Sequence, residues 1–165
     1  MPLIREATAA DLAAINDIYN HYVLCSTCTY QLTPSTSDER HHWFTAHGIL
    51  HPVIVAHHEN AVIGWASLSP FHPRPAYRFT VENSVYIHPD FHRRGIGRAL
   101  MLDLLRRSDQ LGYHSVVAII SADQEASLRL HETLGFLPAG RLQRVGFKFD
   151  RWLDVLYMQR QRPQT

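Results

Sequence analysis

The chain is poor in the features that mark specialised classes of protein. It holds two cysteines in 165 residues, Cys25 and Cys28, too few for a disulfide framework. Their Cys-x-x-Cys spacing suits a redox couple or half a zinc site, but zinc takes about four ligands and no second pair is present. Nor does the pair open a helix after a strand, where a low-pKa thiol is made. Two reduced thiols in a partly buried loop is the reading that remains. No apolar run approaches the roughly 20 residues of a membrane span, and the N-terminus lacks a basic flank followed by an apolar stretch. No membrane partner is expected, and the expected location is cytoplasmic. Lysine and arginine are not massed in a block and the net charge is +1, so no nucleic-acid partner is expected and a small substrate fits better. Internal repeats, linkers and low-complexity segments are also missing. Residues 1–165 are read as a single domain of ordinary globular composition, 45% apolar and 19% charged.

Histidine is abundant instead, with twelve residues. The adjacent pairs His41-His42 and His57-His58 cannot converge on one ion if they lie on strands, where neighbours face opposite sides. No metal is expected.

In chain order, Leu3 to Arg5 reads as a strand, and Thr8 caps a helix whose Leu12, Ile15, Ile18, Tyr19 and Tyr22 recur at helical spacing. Residues 24–36 read as a loop, followed by a helix from Ser37 through Arg40, Trp43 and Phe44 to Gly48. Pro52 to His57 and Ala61 to Leu68 make a hairpin. Residues 69–77, with three prolines, read as an exposed loop. A strand follows from Thr80, then a helix that ends at Gly112. Ser115 to Ile120 is apolar throughout, as in a strand buried on both faces. Glu125 to Leu134 is a helix stopped by Gly135. Two strands, 136–149 and 153–160, close the chain ahead of a polar tail expected to fray.

The chain is organised around residues 80–100. A strand runs through Pro89 into a glycine turn, Arg94-Gly95-Ile96-Gly97, and then a helix. Unpaired N–H groups and the positive end of the helix dipole both point into such a turn, which makes it a cradle for the phosphates of a cofactor. It is neither of the better-known phosphate loops. The P-loop pattern is missing, and Leu100 stands where a dinucleotide fingerprint needs glycine or alanine. Glu82 lies in the strand just ahead of the turn. A carboxylate in this apolar and hydroxylic setting either faces solvent or has the raised pKa of a general base.

Arg93-Arg-Gly-Ile-Gly-Arg-Ala99 and Ser127-Leu-Arg-Leu-His-Glu-Thr-Leu-Gly-Phe136 resemble the acetyl-CoA motif and the following motif of the GNAT acyltransferase superfamily. Tyr77 to Tyr86, Ser127 to Phe136 and Gly146 to Asp154 resemble more narrowly the phosphinothricin and methionine sulfoximine N-acetyltransferases, and the similarity runs from Ile4 to Gln159. The resemblance implies an α/β (α+β) GNAT fold, a mixed sheet of about seven strands splayed in a V and flanked by about four helices. Acetyl-CoA would lie in the splay, its pantetheine arm along Val85, Tyr86 and Ile87 and its pyrophosphate on Arg93, Arg94, Gly95, Ile96, Gly97 and Arg98, with Gln124 as a further contact. Two positions depart from the family: His92 stands where Gln or Arg is usual, and Gln124 where Asn is common.

The resemblance makes Glu82 the general base and puts His131 where many relatives carry a tyrosine that protonates the departing thiolate, although His131 could equally pack or orient the substrate. An α-amine of pKa on the order of 9 to 10 is about 1% neutral or less at pH 7, so a base would contribute roughly 10² to 10⁴. Phe71, Arg74, Tyr77, Arg78 and Trp152 offer aromatic and cationic groups for a small amino acid such as phosphinothricin, methionine sulfoximine or methionine sulfone. Arginine suits its carboxylate or tetrahedral end. The alternatives are acetylation of protein N-termini or polyamines, and a non-catalytic CoA-binding or amino-acid-binding module. The loop 69–79 holds none of the acidic residues a polyamine would want. Relatives imply a homodimer.

Overall fold

The computed structural model describes residues 2–162; the last three residues of the polar tail lie outside them. Among the described residues the strands are β1 (Leu3–Glu6), β2 (Val53–His58), β3 (Ala61–Pro70), β4 (Thr80–Ile87), β5 (Ser115–Ser121), β6 (Leu137–Lys148) and β7 (Arg151–Gln161). The helices are α1 (Leu12–Cys25), α2 (Ser37–His47), α3 (Ile96–Gln110) and α4 (Glu125–Thr133). The strands form one mixed sheet in the order β1-β2-β3-β4-β5-β7-β6, antiparallel except for the parallel pair β4–β5.

Local chemistry sets the helix starts. Thr8 donates its N–H and hydroxyl to the Asp11 carboxylate, at 2.8 and 3.0 Å, and caps a short 3-10 turn that leads into α1. At α2 the cap is reciprocal: Glu39 N–H donates to Thr36 Oγ1 at 3.2 Å and Thr36 N–H to Glu39 Oε2 at 2.8 Å.

Three boundaries differ from the sequence reading. Cys25 is the last residue of α1 rather than part of a loop. Ser69 and Pro70 continue β3, opposite Glu82 and Val81. Proline is tolerated there because Phe71 N–H donates to Thr80, so the nitrogen of Pro70 faces the other side, where β2 has already ended its pairing at Ser67. At the last hairpin, Phe149 and Asp150 form the two-residue turn, both with positive φ (52° and 56°), so Trp152 lies in β7.

Alternate residues of the central strands feed two cores. On one face Leu12, Ile15 and Ile18 of α1 pack with Val53, Val55 and Trp65. On the other, Leu100 and Leu104 of α3 are completely buried with Ile54, Ala66, Val81, Val116 and Ala118, each such leucine contributing about 1.5–3 kcal/mol. β4 pairs with β5 only over Thr80–Glu82 against Ser115–Val117. Beyond that point β5 continues beside β7 to Ser121, and β4 runs on without a partner on this side. The sheet splays where β4 carries Glu82.

Candidate active site

Strand alternation decides what β4 offers. Thr80 C=O accepts from Phe71 and His88 N–H donates to Ile63, so even-numbered backbone groups face β3. The odd-numbered groups, including those of Val85 and Ile87, face the splay. Side chains sort the same way: Val81 joins the α3 core, whereas Glu82, Ser84 and Tyr86 border a cavity under α1 and α2.

The turn after β4 is built for an anion. Arg93 and Gly95 adopt left-handed conformations, φ +60° and +76°, and α3 begins at Ile96. Among the described residues, the backbone N–H groups from Arg93 to Arg98 have no protein acceptor, and the first paired amide is Ala99, which donates to Gly95 at 3.0 Å. A Cβ at Gly97 would stand 3.4 Å from Leu130 Cδ2, in ordinary van der Waals contact. Arg93, Arg94 and Arg98 are exposed around the turn, and Arg94 stacks on Phe91 at 4.9 Å. The departure at His92 has a local role. Tyr22 donates its hydroxyl to the Ile87 carbonyl, and His92 Nε2 meets the same hydroxyl at 2.6 Å with its ring stacked on that of Tyr22.

Within the splay is a cavity of about 270 Å³ whose walls include Glu82, Val85, Tyr86, Ile120, Gln124 and His131. The loop after α1 roofs it. Lys148, buried, donates to the Ser26 and Thr29 carbonyls at 2.7 and 2.8 Å. Thr27 donates to Asp123 at 2.7 Å and accepts from Gln124 Nε2 at 2.8 Å, so the Gln124 side chain holds this roof.

His131 is 2% exposed, with both ring nitrogens engaged. Nδ1 faces the Ser127 carbonyl at 2.8 Å, which makes it the protonated nitrogen, and Nε2 meets Asn83 Nδ2 at 2.9 Å, which makes it an acceptor. Burial lowers its pKa and keeps the imidazole neutral.

The second cavity, about 430 Å³, lies on the α1/α2 side and shares Glu82 and Tyr86 with the first. Tyr19, Arg40, Trp43, Trp65, Ser67 and Ser69 complete much of its wall. Glu82 makes no ion pair or side-chain hydrogen bond with the described residues, and burial alone pushes its carboxyl above the ordinary value. Without a partner among the described residues, it borders both cavities.

The proposed acceptor residues stand apart. Arg74, Tyr77 and Arg78 are exposed on the 3-10 turn before β4 and its flanks, Phe71 packs on Tyr77, and neither cavity at Glu82 includes any of them. Arg78 lies over Phe79, 4.5 Å from the ring. Trp152 is exposed on β7 against Phe147 and Arg144, outside both cavities. Conversely, sequence reasoning treated Arg40, Trp43, Tyr19 and Trp65 as helix or strand residues only. One signal was available for Arg40: a cation at i, i+3, i+4 spacing with Trp43 and Phe44 lies on the inward face of its helix.

Among the described residues, no three His, Cys, Asp or Glu side chains are grouped to hold a metal, and no helix is long and apolar enough to cross a membrane. The Acetyltransferase (GNAT) family model matches residues 15–136. The L-amino acid N-acyltransferase MnaT of Escherichia coli K12 is 41% identical over 159 residues, covering 96% of this chain and 92% of the relative. An L-methionine sulfoximine/L-methionine sulfone acetyltransferase of Salmonella typhimurium is 40% identical over 159 residues, with 96% and 93% covered. Among solved structures, a GNAT superfamily phosphinothricin acetyltransferase from Sinorhizobium meliloti in complex with acetyl-CoA superposes with a TM-score of 0.94 at 41% identity, covering 97% of this chain and 88% of that one. A glycine turn that leaves six amides open, a strand that departs from its neighbour at a lone carboxylate, and these likenesses over almost the whole length agree: the chain belongs to the GNAT acetyltransferase family.

Proposed function

We propose that this acetyl-CoA-dependent N-acetyltransferase moves the acetyl group directly to the α-amine of a small amino acid with a second polar end, such as phosphinothricin, methionine sulfoximine or methionine sulfone. Residues 1–165 act as one acetyltransferase domain, and Glu82 is its general base. The observation that carries this reading is the position of Glu82, unpaired and desolvated, at the point where two cavities meet.

The residues present fit acetyl-CoA. The open amides from Arg93 to Arg98, helped by three exposed arginines and the α3 dipole, suit its pyrophosphate. The splay-facing groups of Val85 and the Ile87 N–H suit an amide-bearing arm, with the Tyr86 ring and Gln124 as walls. Bound there, acetyl-CoA supplies an activated acetyl thioester. Glu82 takes the proton from the acceptor amine, which only as the neutral form is a nucleophile. A β4 N–H facing the splay stabilises negative charge developing on an acyl oxygen. His131, neutral and with both nitrogens engaged, holds Asn83 in the β4 floor rather than delivering a proton. A thiol of pKa about 8.5 leaves without such help.

Two further features belong to this reading. The enzyme works in the cytoplasm, as its reduced, unpaired cysteines suit. It is a homodimer: edge strand β6 and the hairpin it forms with β7 expose Leu137, Val145, Phe147, Phe149 and Trp152, each at least half exposed, a surface that a second copy would cover.

Free-thiol release from acetyl-CoA, measured across amino acids, methionine oxidation products, phosphinothricin, polyamines and peptides, tests the proposal. Turnover is expected with the small amino acids. A preference for polyamines or peptides contradicts the acceptor class, and silence with every amine contradicts the enzymatic reading in favour of a binding module.

A further inference from the structure

The second cavity contains a charge that the protein leaves unanswered. Arg40 is only 4% exposed, yet no carboxylate among the described residues lies within ion-pair distance of it. Its one side-chain hydrogen bond runs from Nε to Asn16 Oδ1 at 3.0 Å. Asn16 is itself fixed by donating Nδ2 to the Ser35 carbonyl at 2.8 Å. The guanidinium is held between aromatic rings, 4.6 Å from the centroids of both Tyr19 and Trp43 and 5.7 Å from that of Trp65. Glu39 also borders the cavity, but its Oε2 is taken by the N–H and hydroxyl of Thr36 at 2.8 and 3.2 Å.

A guanidinium stays charged even when buried, and a buried charge is ordinarily paired. Here orientation is fixed by Asn16 and the rings, while neither terminal nitrogen has a protein partner among the described residues. These nitrogens form the half of the guanidinium fork that matches a planar carboxylate through two parallel N–H bonds. The cavity they border also holds the Glu82 carboxylate, with the hydroxyls of Ser67, Ser69 and Ser84 among its walls. A carboxylate that must be neutralised and a carboxylate that must take a proton cannot share one role. The two ends of this cavity therefore ask for a ligand with an anion at one end and an amine at the other.

We propose that Arg40 is the acceptor-carboxylate anchor: it pairs with the α-carboxylate of the amino acid and so directs the α-amine to Glu82. This rests on the acetyl-transfer reading above and identifies the feature that selects α-amino acids over amines without a carboxylate. It also assigns anion recognition to a buried residue of α2 rather than to Arg74 and Arg78, which are exposed and outside the cavity.

The test compares one good α-amino acid acceptor with its α-carboxamide, using wild-type enzyme, Arg40→Met and Arg40→Lys. Methionine keeps the apolar stem of the side chain as far as Nε, so the space beside Tyr19 and Trp43 stays partly filled. The wild type is expected to favour the acid over the amide by about a hundredfold in kcat/KM. Arg40→Met is expected to raise the KM for the acid roughly 30- to 100-fold, with the amide and acetyl-CoA changed less than about threefold; Arg40→Lys, which keeps the charge but not the fork, falls between. Retention of the acid preference in Arg40→Met overturns the anchor while leaving acetyl transfer intact. Equal use of acid and amide by the wild type also overturns it, and needs no variant to fold. A wild type inactive with every amine overturns the acetyl-transfer reading and the anchor with it.

Discussion

Asp11, at the corner between β1 and α1, and Glu82, on β4, are both carboxylates drawn out of water, and they titrate in opposite directions. Asp11 receives both terminal nitrogens of Arg5, at 2.7 and 2.8 Å, and the N–H of Thr8 at 2.8 Å. Arg5 above all holds its pKa down at about 2, against the upward push of burial. Glu82 has burial and no partner, and its pKa rises. The arginines repeat the contrast. Arg5 is satisfied by a carboxylate of its own chain, whereas Arg40, more deeply buried, meets aromatic rings and one amide oxygen. The corner uses its charges to fix where a helix begins. The cavity under α1 and α2 leaves Arg40 and Glu82 without a counterion among the described residues, and such groups are what a ligand can complete.

The largest expected consequence is in turnover. Glu82→Gln keeps the shape of the side chain and removes the base, so kcat should fall at least about a hundredfold, while calorimetry should find acetyl-CoA affinity within about twofold of wild type. A matching change at the corner should be silent in kinetics and visible in stability. Asp11→Asn should cost about 2 kcal/mol in urea unfolding at pH 7, because it leaves Arg5 and the cap half-answered. Native Asp11 is held at about 2, below the unfolded value. Its contribution is therefore complete above the ordinary carboxylate range and is lost as pH falls toward about 2, so the gap between wild type and variant should narrow from pH 5 to pH 3. A gap independent of pH would separate Asp11 from its ionic role.

The smallest effect should have the opposite sign. Because the native pKa of Glu82 is raised, ionisation at neutral pH works against the fold, and stability from the protonated form is lost as pH rises through that pKa. Glu82→Gln should thus be more stable than wild type at pH 7, with the difference shrinking below the ordinary glutamate range. A less stable variant would mean that Glu82 has a structural partner after all.

Much of the site could be read from the chain in order, because the relevant signals are local. The glycine turn, the strand ahead of it and the carboxylate within that strand are neighbours in sequence, and strand alternation alone puts Val85 and Ile87 on one side and Glu82 on another. What was not legible depends on docking between distant elements. Tyr19, Arg40 and Trp65 come from α1, α2 and β3 and meet only when both helices pack on the sheet. The loop 69–79 was credited with acceptor binding on its residue types, but its Arg74, Tyr77 and Arg78 are exposed and line neither cavity at Glu82. His131 shows the same limit in another way. Its identity permits an acid, and the chain in order did not reveal its two hydrogen bonds, to Ser127 and Asn83, which engage both ring nitrogens.

The most direct test of Glu82 as the base is the ratio of wild-type to Glu82→Gln turnover as a function of pH, at saturating acetyl-CoA and amino acid. A base is needed most when the amine is protonated in solution. The ratio should be at least about 100 near pH 7 and should decline steadily as pH rises toward the amine's own pKa, on the order of 9 to 10. A ratio near one at pH 7, or a large ratio that stays flat from pH 7 to 9.5, would contradict the account and leave Glu82 a wall of the cavity.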